Sequence, residues 1–229
     1  MKLLHPEAVR VRPRAVLFDL DDTLYDYAGP HRRAMAAVRE KMQRLLSVQP
    51  QPFEDAFRRA REEVKRMLGD TASSHSRLLY FQRMIELLGL SSQPAMALDL
   101  EQTYWRTLLM AAKLFPGAED TLVELRAAGV QLGLVTDLTA QIQFRKLVYF
   151  GIDRYFDAVV TSEEAGVDKV GLKPFELVAA KLGLGREDRV WMIGDAPCDV
   201  IGCRQVLNAA TFQKLHEDTP GAAAIDGVD

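Results

Sequence analysis

Ala15-Val16-Leu17-Phe18-Asp19-Leu20-Asp21-Asp22-Thr23-Leu24 is the stretch on which the reading of the whole chain turns. Four apolar residues run straight into three carboxylates. So short and uniformly apolar a run suits a strand buried on both faces, which leaves the acids at its carboxyl end. A lone acidic pair would read as well as a solvated turn. The texture returns, however, at Trp191-Met192-Ile193-Gly194-Asp195, with Asp199 four residues on. Two apolar runs that each deliver a carboxylate pair to one edge of a sheet are a chemical arrangement rather than a surface accident.

Outward from the first run, the chain has two textures. From about Gly29 to Ala112 every candidate element is helical, as in Phe53, Ala56, Phe57, Ala60, Val64, Met67 and Leu68 at helix spacing. Breaks at Gln49-Pro50-Gln51-Pro52, Gly69-Asp70 and Ser91-Ser92-Gln93-Pro94 divide this block into about four helices. After it, strands and helices alternate. Helices are expected near Glu119–Ala128, Thr139–Phe150 and Pro174–Leu182 and from about Asp199. Strands are expected at Val130–Thr136, Asp157–Thr161, Arg189–Ile193 and Ala209–Gln213. Alternation of this kind implies right-handed crossovers and a parallel sheet covered on both faces. The fold class is therefore α/β, a doubly wound, Rossmann-like core. The core is expected over residues 1–24 and 113–229, with a helical cap inserted over 25–112. Ligands of such sheets bind beyond the carboxyl ends of the strands.

Composition narrows the function. A net charge of −3 gives no electrostatic reason to expect nucleic acid or an acidic membrane surface. No apolar run is long enough to span a bilayer. Met1 to Arg14, broken by Pro6 and Pro13, lacks the apolar stretch of a signal peptide. Cys198 and Cys203, the two cysteines, read as reduced thiols of a cytoplasmic protein. Four carboxylates gathered at one sheet edge repel strongly, by about 4 kcal/mol for a pair 4 Å apart at an effective dielectric of 20. Such a cluster calls for a cation. With hard oxygen ligands, and neither histidines nor cysteines at zinc spacing, that cation is Mg²⁺.

Asp19-Leu20-Asp21-Asp22-Thr23, a strand ending in Thr136, a lysine before a helix, and Gly194-Asp195 with Asp199 together resemble the four ordered motifs of the haloacid dehalogenase-like (HAD) hydrolases. The resemblance spans about residues 14–213, and the insertion resembles that superfamily's type C1 helical cap. It implies that Asp19 is the nucleophile and that Asp21 is the general acid and base. Asp19, Asp195, the backbone carbonyl of Asp21 and, in support, Asp199 form the Mg²⁺ site. Thr136, with Asp137 and Thr23, belongs to the phosphate-binding set. Relatives that cleave carbon–halogen or carbon–phosphorus bonds lack the acid two residues after the nucleophile, so Asp21 argues for a phosphate ester.

The pattern departs in three places. Asp137 stands where relatives usually have Asn. An acceptor-only carboxylate suits capping of the following helix better than facing a phosphate. The spacing between Asp195 and Asp199 is one residue shorter than relatives with this cap often show. The lysine register is ambiguous: Lys173-Pro174 matches the usual dipeptide. Gap-free alignment of Ser162-Glu163-Glu164 with Phe175-Glu176-Leu177 and Leu182-Gly183 instead makes Lys169 the catalytic lysine, with Lys173 in the first helical turn.

Elsewhere the readings are plainer. His31 and His75 are expected as exposed polar positions, Tyr104 and Trp105 as packing, and Cys198 as a small buried filler. Tyr25, Asp26 and Tyr27, where the chain enters the cap, could touch substrate. Arg32 and Arg33 are either solvated or meet a second anionic group on it. The expected activity is Mg²⁺-dependent hydrolysis of a small phosphorylated metabolite through an aspartyl-phosphate. Two rivals stand beside it: a phosphomutase using the same aspartate, and a non-catalytic ligand-binding protein on the same fold.

Overall fold

In the computed structural model, residues 9–215 are described; the outer ends of the expected core, 1–8 and 216–229, lie outside them, as does most of the Met1–Arg14 segment. The chain divides into two compact units, one made of the residues up to Asp26 and from Leu114 onward, the other of Tyr27–Lys113.

The first unit is built on five strands: β1 (Ala15–Phe18), β2 (Gln131–Thr136), β3 (Ala158–Thr161), β4 (Val190–Gly194) and β5 (Ala210–Gln213). All pair in parallel, in the order β3-β2-β1-β4-β5. The chain thus winds outward from β1 in one direction through β2 and β3. It then crosses to the other side of β1 for β4 and β5. The point of reversal lies between β1 and β4, where open parallel sheets place their ligands. β1 is wholly buried, as its unbroken apolar run requires. Gly133 lets β2 lie close to its neighbour, since a Cβ there would stand 2.6 Å from Cδ2 of Leu17.

The later helices of this unit are α5 (Ala118–Ala127), α6 (Ala140–Phe150), the short α7 (Ser162–Ala165), α8 (Lys173–Leu182) and α9 (Pro197–Leu207). Phe175, Val178 and Leu182 of α8 and Cys203 and Leu207 of α9 share one core with Leu17, Val135, Val160 and Met192 of the sheet. The α7 turn falls in a stretch to which the sequence reading assigns no element. The last helix begins two residues before the expected Asp199, because Pro197 in its first turn has no N–H to leave unpaired.

The second unit is all helix: α1 (Ala28–Leu46), α2 (Pro50–Leu68), α3 (Arg77–Leu87) and α4 (Pro94–Ala111), with a 3₁₀ turn at Ala72–His75. α1 packs along α4, α2 along α3, and α3 against α4. Phe53, Phe57, Tyr80, Phe81, Met84, Tyr104 and Leu108 fill its centre. Pro50 and Pro94 sit in the first turns of their helices, so the proline-rich segments expected as breaks open helices as well as separating them. No helix among the described residues is long and apolar enough to cross a membrane.

Candidate active site

The end of β1 meets the end of β4 directly. The Asp19 amide continues the ladder by donating to the Ile193 carbonyl at 2.9 Å, which sets its buried side chain beside the segment that carries Asp195 and Asp199. Asp199 is fully buried on the first turn of α9 and accepts the Ala196 amide at 3.2 Å. Its approach depends on Gly194: a Cβ there would lie 2.4 Å from Oδ2 of Asp199. Oxygens of Asp19, Asp195 and Asp199 all fall within 4.8 Å of one another. The Thr23 hydroxyl donates to Asp19 at 3.1 Å and reaches towards Asp195 at 3.5 Å.

Lys169 closes this cluster. Its buried Nζ donates to Oδ1 of Asp19 and to Oδ1 of Asp199, each at 2.6 Å. Burial opposes the charge on Lys169, but Asp19 and Asp199 outweigh it, and its pKa is raised well above the usual lysine value. Lys173, the alternative in the sequence, lies exposed at the start of α8. Asp137 is brought to the same loop. Its Oδ1 accepts the Lys169 backbone N–H at 2.9 Å, so the carboxylate anchors the lysine segment. This corrects the expectation of a helix cap: the N-cap of α6 is Thr139, whose own side chain makes no capping bond, and the first helical N–H, that of Ala140, donates to the Glu163 carboxylate at 2.8 Å.

Asp21 points elsewhere. Its carboxylate accepts two hydrogen bonds from Lys146 of α6, at 2.6 and 2.8 Å, one from Gln143 at 3.1 Å and one from the Tyr25 hydroxyl. Burial alone would raise its pKa; Lys146, then Tyr25 and Gln143, lower it. Gln143 also donates to the buried Thr136 hydroxyl at 2.5 Å and to the Asp137 carbonyl at 2.7 Å, tying the ends of β1 and β2 together. None of Lys146, Gln143 and Tyr25 was singled out from the sequence as holding Asp21. The available signal was in α6, where Ile142, Gln143, Lys146 and Leu147 share the buried face. A lysine and a glutamine on a stripe that periodicity reserves for apolar residues need buried partners. Lys214, also missed, donates to the Thr23 carbonyl at 3.2 Å; burial lowers its pKa to about 8.

Thr136 is buried at the end of β2, and Thr23 is buried in the turn that follows β1. Cys198 is half-buried, and burial followed by the Asp199 charge pushes its thiol up to about 12, which keeps it protonated and unreactive. In the helical unit, His31 is not the exposed residue expected. Its Nδ1 lies 2.7 Å from the Tyr104 hydroxyl. Tyr104 and Trp105 are buried, as packing residues should be. His75, also expected exposed, is half-buried in the 3₁₀ turn.

The donor set fits a hard divalent cation. Asp19, Asp195 and Asp199 offer only carboxylate oxygens. Their mutual repulsion shows in the pKa values of Asp19 and Asp195. Burial, then Asp199, raises Asp195. Asp19 is raised by burial and by Asp199 and Asp21, against the opposing charge of Lys169. One lysine does not balance three clustered acids.

The chain is similar to known proteins along most of its length. A family model described as haloacid dehalogenase-like hydrolase matches residues 13–206. A ribulose-1,5-bisphosphate 5-phosphatase of Halopiger xanaduensis is 40% identical over 205 residues, covering 89% of this chain and 86% of that one. A glyceraldehyde 3-phosphate phosphatase of Methanopyrus kandleri is 34% identical over 183 residues, 80% of this chain and 75% of that one. The crystal structure of a HAD phosphatase from Thermococcus onnurineus superposes with a TM-score of 0.67, at 24% identity and over 93% and 91% of the two chains. Matched by that family model over most of its length, this chain belongs to the haloacid dehalogenase-like hydrolases.

Proposed function

We infer that the protein hydrolyses a small phosphomonoester by transferring its phosphoryl group to Asp19. The observation that carries this reading is the Asp19 carboxylate at the end of β1. It is held 2.6 Å from Lys169, with Asp21 two residues on and tethered apart from it by Lys146. A carboxylate nucleophile and a separately held carboxyl group are what an acid- and base-assisted displacement needs.

In the first half-reaction an oxygen of Asp19 attacks phosphorus in line, and the P–O bond to the leaving group breaks. That oxygen takes its proton from Asp21, which must be protonated for this step although Lys146, Tyr25 and Gln143 favour its charged form at rest. In the second, water attacks the phosphoaspartate, giving its proton back to Asp21 and releasing inorganic phosphate and the Asp19 carboxylate. Lys169 offsets the charge on Asp19 and on the transferring group. Phosphoryl transfer is largely positioning and charge stabilisation, and Thr136 and Thr23 belong to the group that positions the phosphoryl oxygens. Asp19, Asp195 and the Asp21 carbonyl, backed by Asp199, would hold Mg²⁺, which supplies further neutralisation of phosphoryl charge when bound. The helical unit serves as the cap, which favours metabolites over phosphoproteins. The names of the relatives favour sugar and triose phosphates among the possible substrates. Free cysteines fit a cytoplasmic setting.

The test is phosphate release from a generic aryl phosphate in Mg²⁺, followed by a screen of phosphorylated metabolites. Isomerised sugar phosphate without free phosphate would turn the assignment to a mutase. EDTA is expected to abolish turnover, Mg²⁺ to restore it and Ca²⁺ to fail. Calcium's larger, flexible shell lets carboxylates bind it in two-oxygen fashion and spoils the line of attack. Full activity in Ca²⁺ would count against that geometry.

A second prediction concerns Lys146. Asp21 has a folded pKa below its ordinary value of 3.8, so it adds stability above that value, and this stability is lost as pH falls through the folded pKa. Lys146→Met removes its main partner and is expected to destabilise the protein by about 1–3 kcal/mol at pH 7. Urea unfolding of both chains should show the difference shrinking from about pH 4 downward; a gap that does not depend on pH would mean that the loss is one of packing alone.

A further inference from the structure

Two polar side chains stand on the buried face of α6, and both reach the strand ends. Gln143 and Lys146 are buried and lie three residues apart, so they share one side of the helix. Helical side chains lean towards the amino end of their helix, and that end of α6 follows β2 after a short loop. The pair is thus aimed at the carboxyl edge of the sheet rather than at its apolar centre.

Their hydrogen bonds engage both carboxylate oxygens of Asp21. Lys146 donates to Oδ1 at 2.6 Å and to Oδ2 at 2.8 Å, and Gln143 donates to Oδ2 at 3.1 Å. Lys146 also lies over the Tyr25 ring, 5.7 Å from its centre, and the Tyr25 hydroxyl donates to Oδ1. Gln143 Nε2 is in addition 2.5 Å from the Thr136 hydroxyl and 2.7 Å from the Asp137 carbonyl. That carbonyl and the Asp21 carboxylate can only accept, which fixes the amide with its N–H groups towards them. An amide nitrogen cannot accept either, so the Thr136 hydroxyl takes a share of those protons and its own O–H is left to donate elsewhere. Gln143 Oε1 is meanwhile buried with no partner. An unpaired buried acceptor lowers stability, and an apolar residue at this position would avoid it, so the amide is poorly explained as core packing.

We propose that Gln143 and Lys146 are positioning residues for the reaction. Together they set the Asp21 carboxyl in place for proton transfer, and Gln143 also turns the Thr136 hydroxyl so that its proton is free to donate to a phosphoryl oxygen. The proton donor and the phosphoryl clamp are in this way held by one helix face. Neither residue exchanges a proton itself. This inference rests on the phosphatase reading above.

The experiment compares phenyl phosphate with dinitrophenyl phosphate in Mg²⁺, for the wild type, Lys146→Met and Gln143→Leu, each shown by circular dichroism to be folded. Phenolate takes the Asp21 proton as its P–O bond breaks, whereas dinitrophenolate leaves without one. Misplacing the acid is expected to lower kcat/KM for phenyl phosphate by roughly tenfold to a hundredfold in both variants, with a loss on dinitrophenyl phosphate about tenfold smaller. Asp21 must also take a proton from the attacking water. Dinitrophenolate should therefore appear in a burst matching the enzyme present, ahead of slow turnover. Inorganic phosphate should inhibit Gln143→Leu several-fold more weakly than Lys146→Met, since only the former loses the Thr136 contact. Equal losses on the two esters, no loss on either, or a gain overturns the proposal alone. If Lys146→Met does not fold, Gln143→Leu decides by the same comparison. A wild type inactive on both esters would overturn the phosphatase reading, and this assignment with it.

Discussion

Asp19→Asn is expected to lower phosphate release by on the order of 10³-fold or more, because a carboxamide oxygen is no nucleophile towards phosphorus and nothing nearby replaces it. The fold should survive. Asn keeps the shape of Asp and can still accept the Thr23 hydroxyl, which now donates to Asp19 at 3.1 Å. It also relieves the crowding with Asp199 and Asp21 that, together with burial, raises the Asp19 pKa, so the metal-free variant should melt no lower than the wild type. Phosphate detection and a thermal melt check both halves. More than a few per cent of wild-type turnover would sink Asp19 as the nucleophile.

Lys169→Ala should come next in severity. The ammonium touches Asp19 and Asp199 at 2.6 Å each, and removing it leaves two buried carboxylates facing one another. Loss of one partner from such a buried pair costs about 3–5 kcal/mol, equivalent to roughly 10²–10³-fold or more if the contact acts in the transition state. Lys173→Ala is the internal control. That side chain is exposed at the head of α8, and its removal should change kcat little. Both are to be measured in saturating Mg²⁺, after circular dichroism shows that the variants are folded. A collapse in the Lys173 variant beside a near-normal Lys169 variant would reverse the assignment.

The sheet and its charged edge were legible because their signals are local. A buried parallel strand must be apolar throughout, and Val16-Leu17-Phe18 and Met192-Ile193 each break abruptly into acids. Lys169 was legible only through its register against Ser162 and Phe175, since nothing in its own neighbourhood distinguishes it from Lys173. Asp137 was misread in detail. Its type excluded a close approach to phosphate, but its partner, the Lys169 amide, lies 32 residues away, and a local capping rule cannot find it. Lys146 and Gln143 escaped for the same reason. Side chains with these polar groups usually lie at the surface, and their partner Asp21 is more than a hundred residues distant. His31 was read as solvated because its neighbour Tyr104 belongs to a helix formed much later in the chain. Strand order, too, depends on which edge β4 joins, and apolar periodicity is the same for either choice.

The adjacency of β1 and β4 has a consequence for how the protein is made. Thr23 and Asp195, which meet across that junction, are 172 positions apart, and Lys169 and Asp19 are 150 apart. Chains emerge from the ribosome amino end first, at a few residues per second. Asp19 therefore appears before its lysine and its partner acids, which arrive only after the helical unit and most of the sheet have been synthesised. Long-range parallel pairing is also slow to form. A nascent chain halted before β4 would carry Asp19 without the groups that activate it, so it would be chemically silent. Catalytic competence is in this way tied to completion of the sheet, and the appearance of activity during refolding should report the docking of β4 rather than the collapse of the chain.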